Sequence, residues 1–177
     1  EIAMHCDGLV ASRTNSKGKP FPIGLPEAGL GLCPGWGGTQ LLPARINPKA
    51  AIEMTATGKP CMSDSLPDGL IDVLVESPEE LEAAGVSWLQ SQGSRSSSPL
   101  KSISTINRKK CAEALSSARE EIETTDAATA VFNAVETGID GGWAAAIATE
   151  QCELVTLRHT TTAREKLDAF LSKGLNL

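Results

Sequence analysis

The chain has 177 residues, of which 41% are hydrophobic and 21% charged, a size and balance that fit one ordinary domain with a real core and exclude a disordered chain. No apolar run approaches the ~20 residues that span a bilayer, and Glu1-Ile2-Ala3-Met4 has neither the basic nor the apolar region of a signal peptide. The formal net charge is −6, of which residues 1–90 carry −5 and residues 91–177 carry −1, so there is no basic face for general nucleic-acid binding.

Glu1 to Cys6 reads as a short helical stretch, and Leu9-Val10-Ala11 follows as a strand-like run. Residues 13–22 are a polar loop rich in Gly and Pro. Ile23 to Glu27 leads into a run dense in glycine, residues 29–38, with a helix starting near Gly37 and continuing through Leu41 and Leu42. Asn47-Pro48 combines an N-cap residue with proline at the first helical position, so a helix is expected through Ile52 and Met54 to a stop at Gly58. A further short helix is expected from Ser63 to about Gly69, then a strand from Leu70 to Val75. Ser77-Pro78-Glu79-Glu80 is a capping box that opens a helix to about Gln90.

Residues 91–102 hold six serines with Gly and Pro and read as a linker. Beyond it the pattern is helical throughout. Cys111, Leu115, Ala118 and Ile122 recur at helical spacing, and Ala127, Ala130, Val131, Ala134 and Val135 make a small-residue face. Trp143, Ile147, Glu150, Leu154 and Leu157 continue it, with Glu150 the single polar interruption. Thr162 and Glu165 read as a second capping box, ahead of Leu167, Phe170 and Leu171. The domain reading is a core over residues 1–90, a linker over 91–102 and a helical oligomerisation module over 103–177, because apolar faces without a partner are rare in monomers.

The five cysteines (Cys6, Cys33, Cys61, Cys111, Cys152) form no C-x-x-C pair. That argues against a disulfide framework or zinc site and for reduced thiols in the cytoplasm. There is no tyrosine, and the two histidines are His5 and His159, a thin kit for nucleophilic or metal chemistry. No G-x-S-x-G, H-E-x-x-H or phosphate-loop motif is present. Gly29-x-Gly31 begins like a dinucleotide fingerprint but meets Pro34 where the third glycine belongs. Glu27, just ahead of Gly29-Leu30-Gly31-Leu32-Cys33-Pro34-Gly35-Trp36-Gly37-Gly38-Thr39-Gln40, is the candidate acid/base group. Such a run lets backbone pass close to a ligand and presents N–H groups at a helix start, where a water or an anionic group can sit; the alternative is a tight turn alone.

Residues 1–7 (Glu-Ile-Ala-Met-His-Cys-Asp), Ile23 to Gln40, and Thr57-Gly58 with Gly69-Leu70-Ile71-Asp72 resemble the enoyl-CoA hydratase/isomerase family, or crotonase superfamily, in order and spacing. The resemblance covers residues 1 to about 90, and Ala163 to Leu171 is similar to the family's closing helix. It implies an α/β chain: a partial crotonase-like (ClpP/crotonase) ββα spiral remnant followed by a C-terminal all-helical module. It also implies a protein that adds water to a 2-enoyl-CoA thioester without a cofactor, in a homo-oligomer (trimer or hexamer) with no nucleic-acid or membrane partner.

Carried across residue by residue, Glu1 and Glu27 fall on the two catalytic glutamates of family hydratases, which hold one water between them. Gly35 falls on the glycine whose N–H also meets that water. Trp36, Gly37 and Gly38 complete the substrate- and water-binding turn, with the Trp36 ring either lining the acyl pocket or capping the turn. His5 and Cys33 read as packing residues, and Arg108-Lys109-Lys110 as a solvated helix face or a contact for CoA phosphates. The family's oxyanion-hole donors would precede residue 1, so this chain, which opens on Glu1, is read as the C-terminal half of a longer one with feeble activity alone. The alternatives are an isomerase, which commonly lacks one of the two glutamates, and a non-catalytic chain that serves assembly.

Overall fold

The computed structural model describes residues 1–93, 102–103 and 107–174. Most of the expected linker lies outside the described residues. Helices dominate: α1 (Gly38–Arg45), α2 (Pro48–Thr57), α3 (Leu81–Ser91), α4 (Arg108–Glu121), α5 (Asp126–Leu157) and α6 (Thr161–Gly174). Short strands β1 (Val10–Ser12), β2 (Pro22–Ile23), β3 (Cys61–Met62) and β4 (Val73–Val75) form two sheets of two strands each. β1 and β4 are parallel, with Val10 opposite Val73 and Ser12 opposite Val75. The whole glycine-rich run, α1 and α2 lie between them in sequence. β2 and β3 are antiparallel, with Ile23 opposite Cys61.

Local signals set several boundaries. The Asn47 side chain accepts from the N–H groups of Lys49 (3.0 Å) and Ala50 (3.2 Å) at the start of α2, and Gly58 ends it in the left-handed region at φ 68°. Ser77 and Glu80 form the expected capping box, Glu80 accepting from Ser77 N–H at 2.9 Å.

Three expectations are corrected. Ser63 to Gly69 is a chain of turns rather than a helix, preceded by β3. The Ser63 hydroxyl does not cap; it donates to Arg13 O at 2.6 Å and accepts from Phe21 N–H at 3.0 Å, so it pins a distant loop. The strand expected over Leu70–Val75 is confined to Val73–Val75, because Asp72 turns its carboxylate onto Leu9 N–H and the Arg45 guanidinium. Finally, α6 is capped by Thr160, which accepts from Ala163 N–H at 3.2 Å, and not by Thr162, which lies inside the first turn. The helical runs around Ala127–Val135 and Trp143–Leu157 are the two helical halves of α5, broken by a kink at Gly142 (φ 77°, ψ −170°).

The larger core joins Cys33, Ile52 and Ala56 to Ile103, Cys111, Leu115, Ala118, Val131, Val135 and Leu157. The apolar faces of α4 and of the first half of α5 are thus covered by α2 within the chain. Each fully buried Val, Leu or Ile contributes about 1.5–3 kcal/mol. A second cluster gathers Leu25, Leu42, Ile46, Ala51 and Leu70 beneath α1. Among the described residues no helix is long and apolar enough to cross a membrane.

Candidate active site

The site forms where the glycine-rich run turns into α1. Glu1 stands at the head of a 3-10 turn, Ile2–His5, and Glu27 opens a second, Glu27–Leu30, just after Pro26. Gly31, at φ 76°, reverses the chain after that turn. The run then passes Cys33 and Pro34, both buried, and reaches Gly37 in the left-handed region at φ 99°.

Two of these glycines serve packing. A Cβ on Gly37 would lie 2.4 Å from the Trp143 ring, and one on Gly35 would lie 2.6 Å from Leu154 Cδ2. Both neighbours belong to α5. At Gly38 the close approach is to the site itself, since a Cβ there would sit 2.9 Å from Glu1 Oε1. The close approach inferred for a ligand is therefore made largely by the chain's own last helices.

The amide groups of this turn converge on two carboxylates. Glu1 Oε1 accepts from Trp36 N–H at 2.9 Å and Gly38 N–H at 2.7 Å, and Oε2 accepts from Gly35 N–H at 3.4 Å. Glu150 Oε2 accepts from Gly37 N–H at 2.6 Å. Its Oε1 accepts from Thr39 N–H at 2.9 Å and from the Thr39 hydroxyl. The N-terminus of α1 is thus an anion-binding cradle of the usual kind, filled by side chains from both ends of the chain. Trp36 is 62% exposed, and its backbone N–H joins the turn.

Glu27 differs from both. Its Oε2 is buried without a hydrogen-bond partner. Burial pushes the Glu27 carboxyl above its ordinary value, and the negative charges of Glu1 and Glu150 add to the push against its backbone hydrogen bond and the N-terminal amine. Burial also raises Glu150, chiefly offset by its Thr39 and Gly37 donors. Three carboxyl groups in one region, unequally hydrogen-bonded, are a means of separating a proton donor from a base. An apolar cavity of about 180 Å³ opens beside Glu1, walled by Met4, Leu9, Ile23, Leu42, Met54 and Leu70.

His5 donates from Nε2 to Trp36 O at 2.8 Å and meets Trp143 edge-on at 5.9 Å between ring centroids, a packing role. Cys33 is fully buried, and burial together with the Glu150 charge pushes its thiol up to about 12, far from a nucleophile. Arg108 reaches Asp140 O at 3.3 Å, and Lys109 pairs with Glu113 at 3.9 Å on an exposed face. Among the described residues no group of three or more His, Cys, Asp or Glu side chains could hold a metal ion.

Sequence reasoning misses Glu150 as a site residue. Its signal is the one charged position on the apolar face Trp143–Leu157; a buried charge there demands donors, and the sequence offers no cation on that face. Gln40 is missed as well. It is fully buried and donates from Nε2 to Thr39 Oγ1 (2.9 Å) and Ala134 O (3.0 Å). Gly138 makes room for it, since a Cβ there would overlap Gln40 Oε1 at 1.8 Å.

The chain is 30% identical over 182 residues to the "Glyoxysomal fatty acid beta-oxidation multifunctional protein MFP-a" of Cucumis sativus, covering 98% of this chain and 24% of that protein. It is 44% identical over 91 residues to the "Fatty acid oxidation complex subunit alpha" of Colwellia psychrerythraea, covering 51% of this chain and 12% of that one. The same-named subunit of Idiomarina loihiensis is 44% identical over 87 residues, covering 49% and 11%. The chain therefore spans about a quarter or less of the length of these relatives. The family model for enoyl-CoA hydratase/isomerase matches residues 1–145, which takes in both glutamates, the glycine-rich turn and the first half of α5, and the chain belongs to that family.

Proposed function

We propose that this chain carries the water-activating part of an enoyl-CoA hydratase site. One observation carries the reading: Glu27 holds a buried, unpartnered carboxyl oxygen in the electrostatic reach of Glu1, whose own carboxylate is fixed on the turn 35–38. In the proposed step a water lies between Glu1 and Glu27. Glu1 takes a proton from it as its oxygen bonds to the β-carbon, and Glu27 delivers its proton to the α-carbon of the enoyl thioester. The raised proton affinity of Glu27 suits the donor role. The Gly35 N–H, whose contact with Glu1 is the longest of the set at 3.4 Å, is the one most readily lent to the water.

The finer architecture belongs to the same proposal. The β1–β4 and β2–β3 pairs are a remnant of the family's spiral, and residues 103–177 are a helical module whose faces on α4 and the first half of α5 are already covered by α2, so assembly into a homo-oligomer, a trimer or hexamer, would use the exposed Val155, Phe170 and Leu171. Light scattering that finds a monomer at micromolar concentration overturns that part. The substrate is an acyl-CoA thioester, and no cofactor enters the step. Thioester polarisation needs N–H donors other than those of residues 36–39, which Glu1 and Glu150 occupy; an oxyanion-hole donor is worth about 3–4 kcal/mol of barrier. The five unpaired thiols suit a reducing compartment such as the cytoplasm, while one relative is named for the glyoxysome.

The test is the hydration of crotonyl-CoA, followed by loss of the ultraviolet absorbance of the conjugated enoyl thioester. In the protein that carries these residues, Glu27→Gln keeps acyl-CoA binding and lowers kcat by roughly 10²–10⁴-fold, the scale of a general acid/base group. A fully active Glu27→Gln removes the proton-donor assignment.

A further inference from the structure

Glu150 takes no part in the step proposed above, yet it is fully buried, 0% exposed. Among the described residues no Lys, Arg or His pairs with it. A buried carboxylate without a cation persists only where donors satisfy it, and an apolar side chain of the same volume is commonly as stable or more so. Three donors do satisfy it, and all three belong to Gly37 and Thr39.

We infer that Glu150 is a positioning residue of the site: by accepting from Gly37 and Thr39 it sets the turn from which Trp36 and Gly38 donate to Glu1. The geometry is an alternation. Along four successive residues, the N–H groups of Trp36 and Gly38 face Glu1, and those of Gly37 and Thr39 face Glu150. Such an alternation needs the left-handed backbone of Gly37 (φ 99°), and Glu150 grips the N–H on either side of Gly38. With that grip released, the Gly37 backbone is free to rotate and carries the Gly38 N–H away from Glu1 Oε1. A second tie braces the same turn. Gln40 Nε2 donates to both Thr39 Oγ1 and Ala134 O, so the hydroxyl that donates to Glu150 is itself held against α5. Hydrogen bonds in such a chain polarise and strengthen one another. The second half of α5 thus sets the direction of the Glu1 carboxylate through the turn that both share.

The role as a residue of a hydratase site rests on the function proposed above. The measurement runs without substrate, so an inactive chain and a failed positioning role give different results. Amide hydrogen exchange is read by NMR on the full chain with Glu150→Leu and Glu150→Gln. Trp36 and Gly38, whose N–H groups Glu150 does not contact, exchange about tenfold faster or more in Glu150→Leu, while amides inside α2 and α4 keep their rates. Glu150→Gln, whose Oε1 still accepts from Thr39 but whose amide nitrogen faces Gly37 N–H, restores part of the protection. Unchanged exchange at Trp36 and Gly38 overturns the inference. So does an equal acceleration throughout α2 and α4, which marks a loss of overall stability. Should neither variant fold, Thr39→Val, which removes one donor and keeps the backbone N–H, is read by the same criteria with an expected acceleration of about threefold.

Discussion

Glu1 and Glu150 reach the same turn from opposite ends of the sequence and divide its N–H groups between them, Trp36 and Gly38 to the first, Gly37 and Thr39 to the second. Neither carboxylate is neutralised by a lysine or arginine among the described residues. Peptide dipoles at the start of α1 do that work, and Glu27 is left nearby with an unsatisfied oxygen.

That leftover oxygen gives stability a definite pH dependence. Burial raises the proton affinity of Glu27 in the folded chain above that of the unfolded chain. The native state therefore binds more protons between the unfolded and folded values, and Glu27 opposes folding increasingly as pH rises through that window. Glu27→Gln removes the penalty. Its melting temperature is expected to exceed that of the parent at pH 7 and to match it near pH 4; each 1 kcal/mol corresponds to about 2–4 °C for a chain of this size. Equal differences at both pH values would show that Glu27 carries no folding-linked proton.

Two glycines make opposite predictions. Gly37→Ala places a Cβ 2.4 Å from the Trp143 ring on a backbone at φ 99°, and a loss of about 1–3 kcal/mol in urea unfolding is expected. Gly85 lies inside α3, where an added Cβ would meet nothing within 4 Å, so Gly85→Ala is expected to gain about 0.5–1 kcal/mol from helix propensity. The same urea titration reads both.

Thiol reactivity should follow burial. Cys6 and Cys152 are exposed, whereas Cys33 and Cys111 are buried with their thiols pushed up to about 12 and about 11. Mass spectrometry after brief iodoacetamide treatment at pH 8 is expected to find Cys6 and Cys152 modified. Cys33 and Cys111 are expected to react only in denaturant. Rapid native labelling of Cys33 would contradict the closed packing of the turn against α5.

The parts of the fold legible in the sequence are those decided by near neighbours. Asn47, Pro48 and Gly58 bound α2 through contacts within their own helix, and Ser77 with Glu80 does the same ahead of α3. Ser63 misleads because its hydroxyl serves Arg13 and Phe21, at separations of 50 and 42 residues. In the site, the family resemblance places Gly35 with Glu1 around one water, and in the structure Glu1 accepts from the N–H groups of Gly35, Trp36 and Gly38. Glu150 stays hidden as a site residue for the reason Ser63 misleads: its donors are remote in the chain, and an interrupted apolar face names a buried charge without naming what satisfies it.

The separation of 111 residues between Thr39 and Glu150 also orders events in time. A ribosome adding about 5–20 residues per second needs roughly 6–22 s to make that stretch. Throughout that interval the nascent turn has its sequence complete but lacks the carboxylate for Gly37 and Thr39, whose N–H groups stay with water. The cradle at the head of α1 is thus completed only well after its own residues have been made.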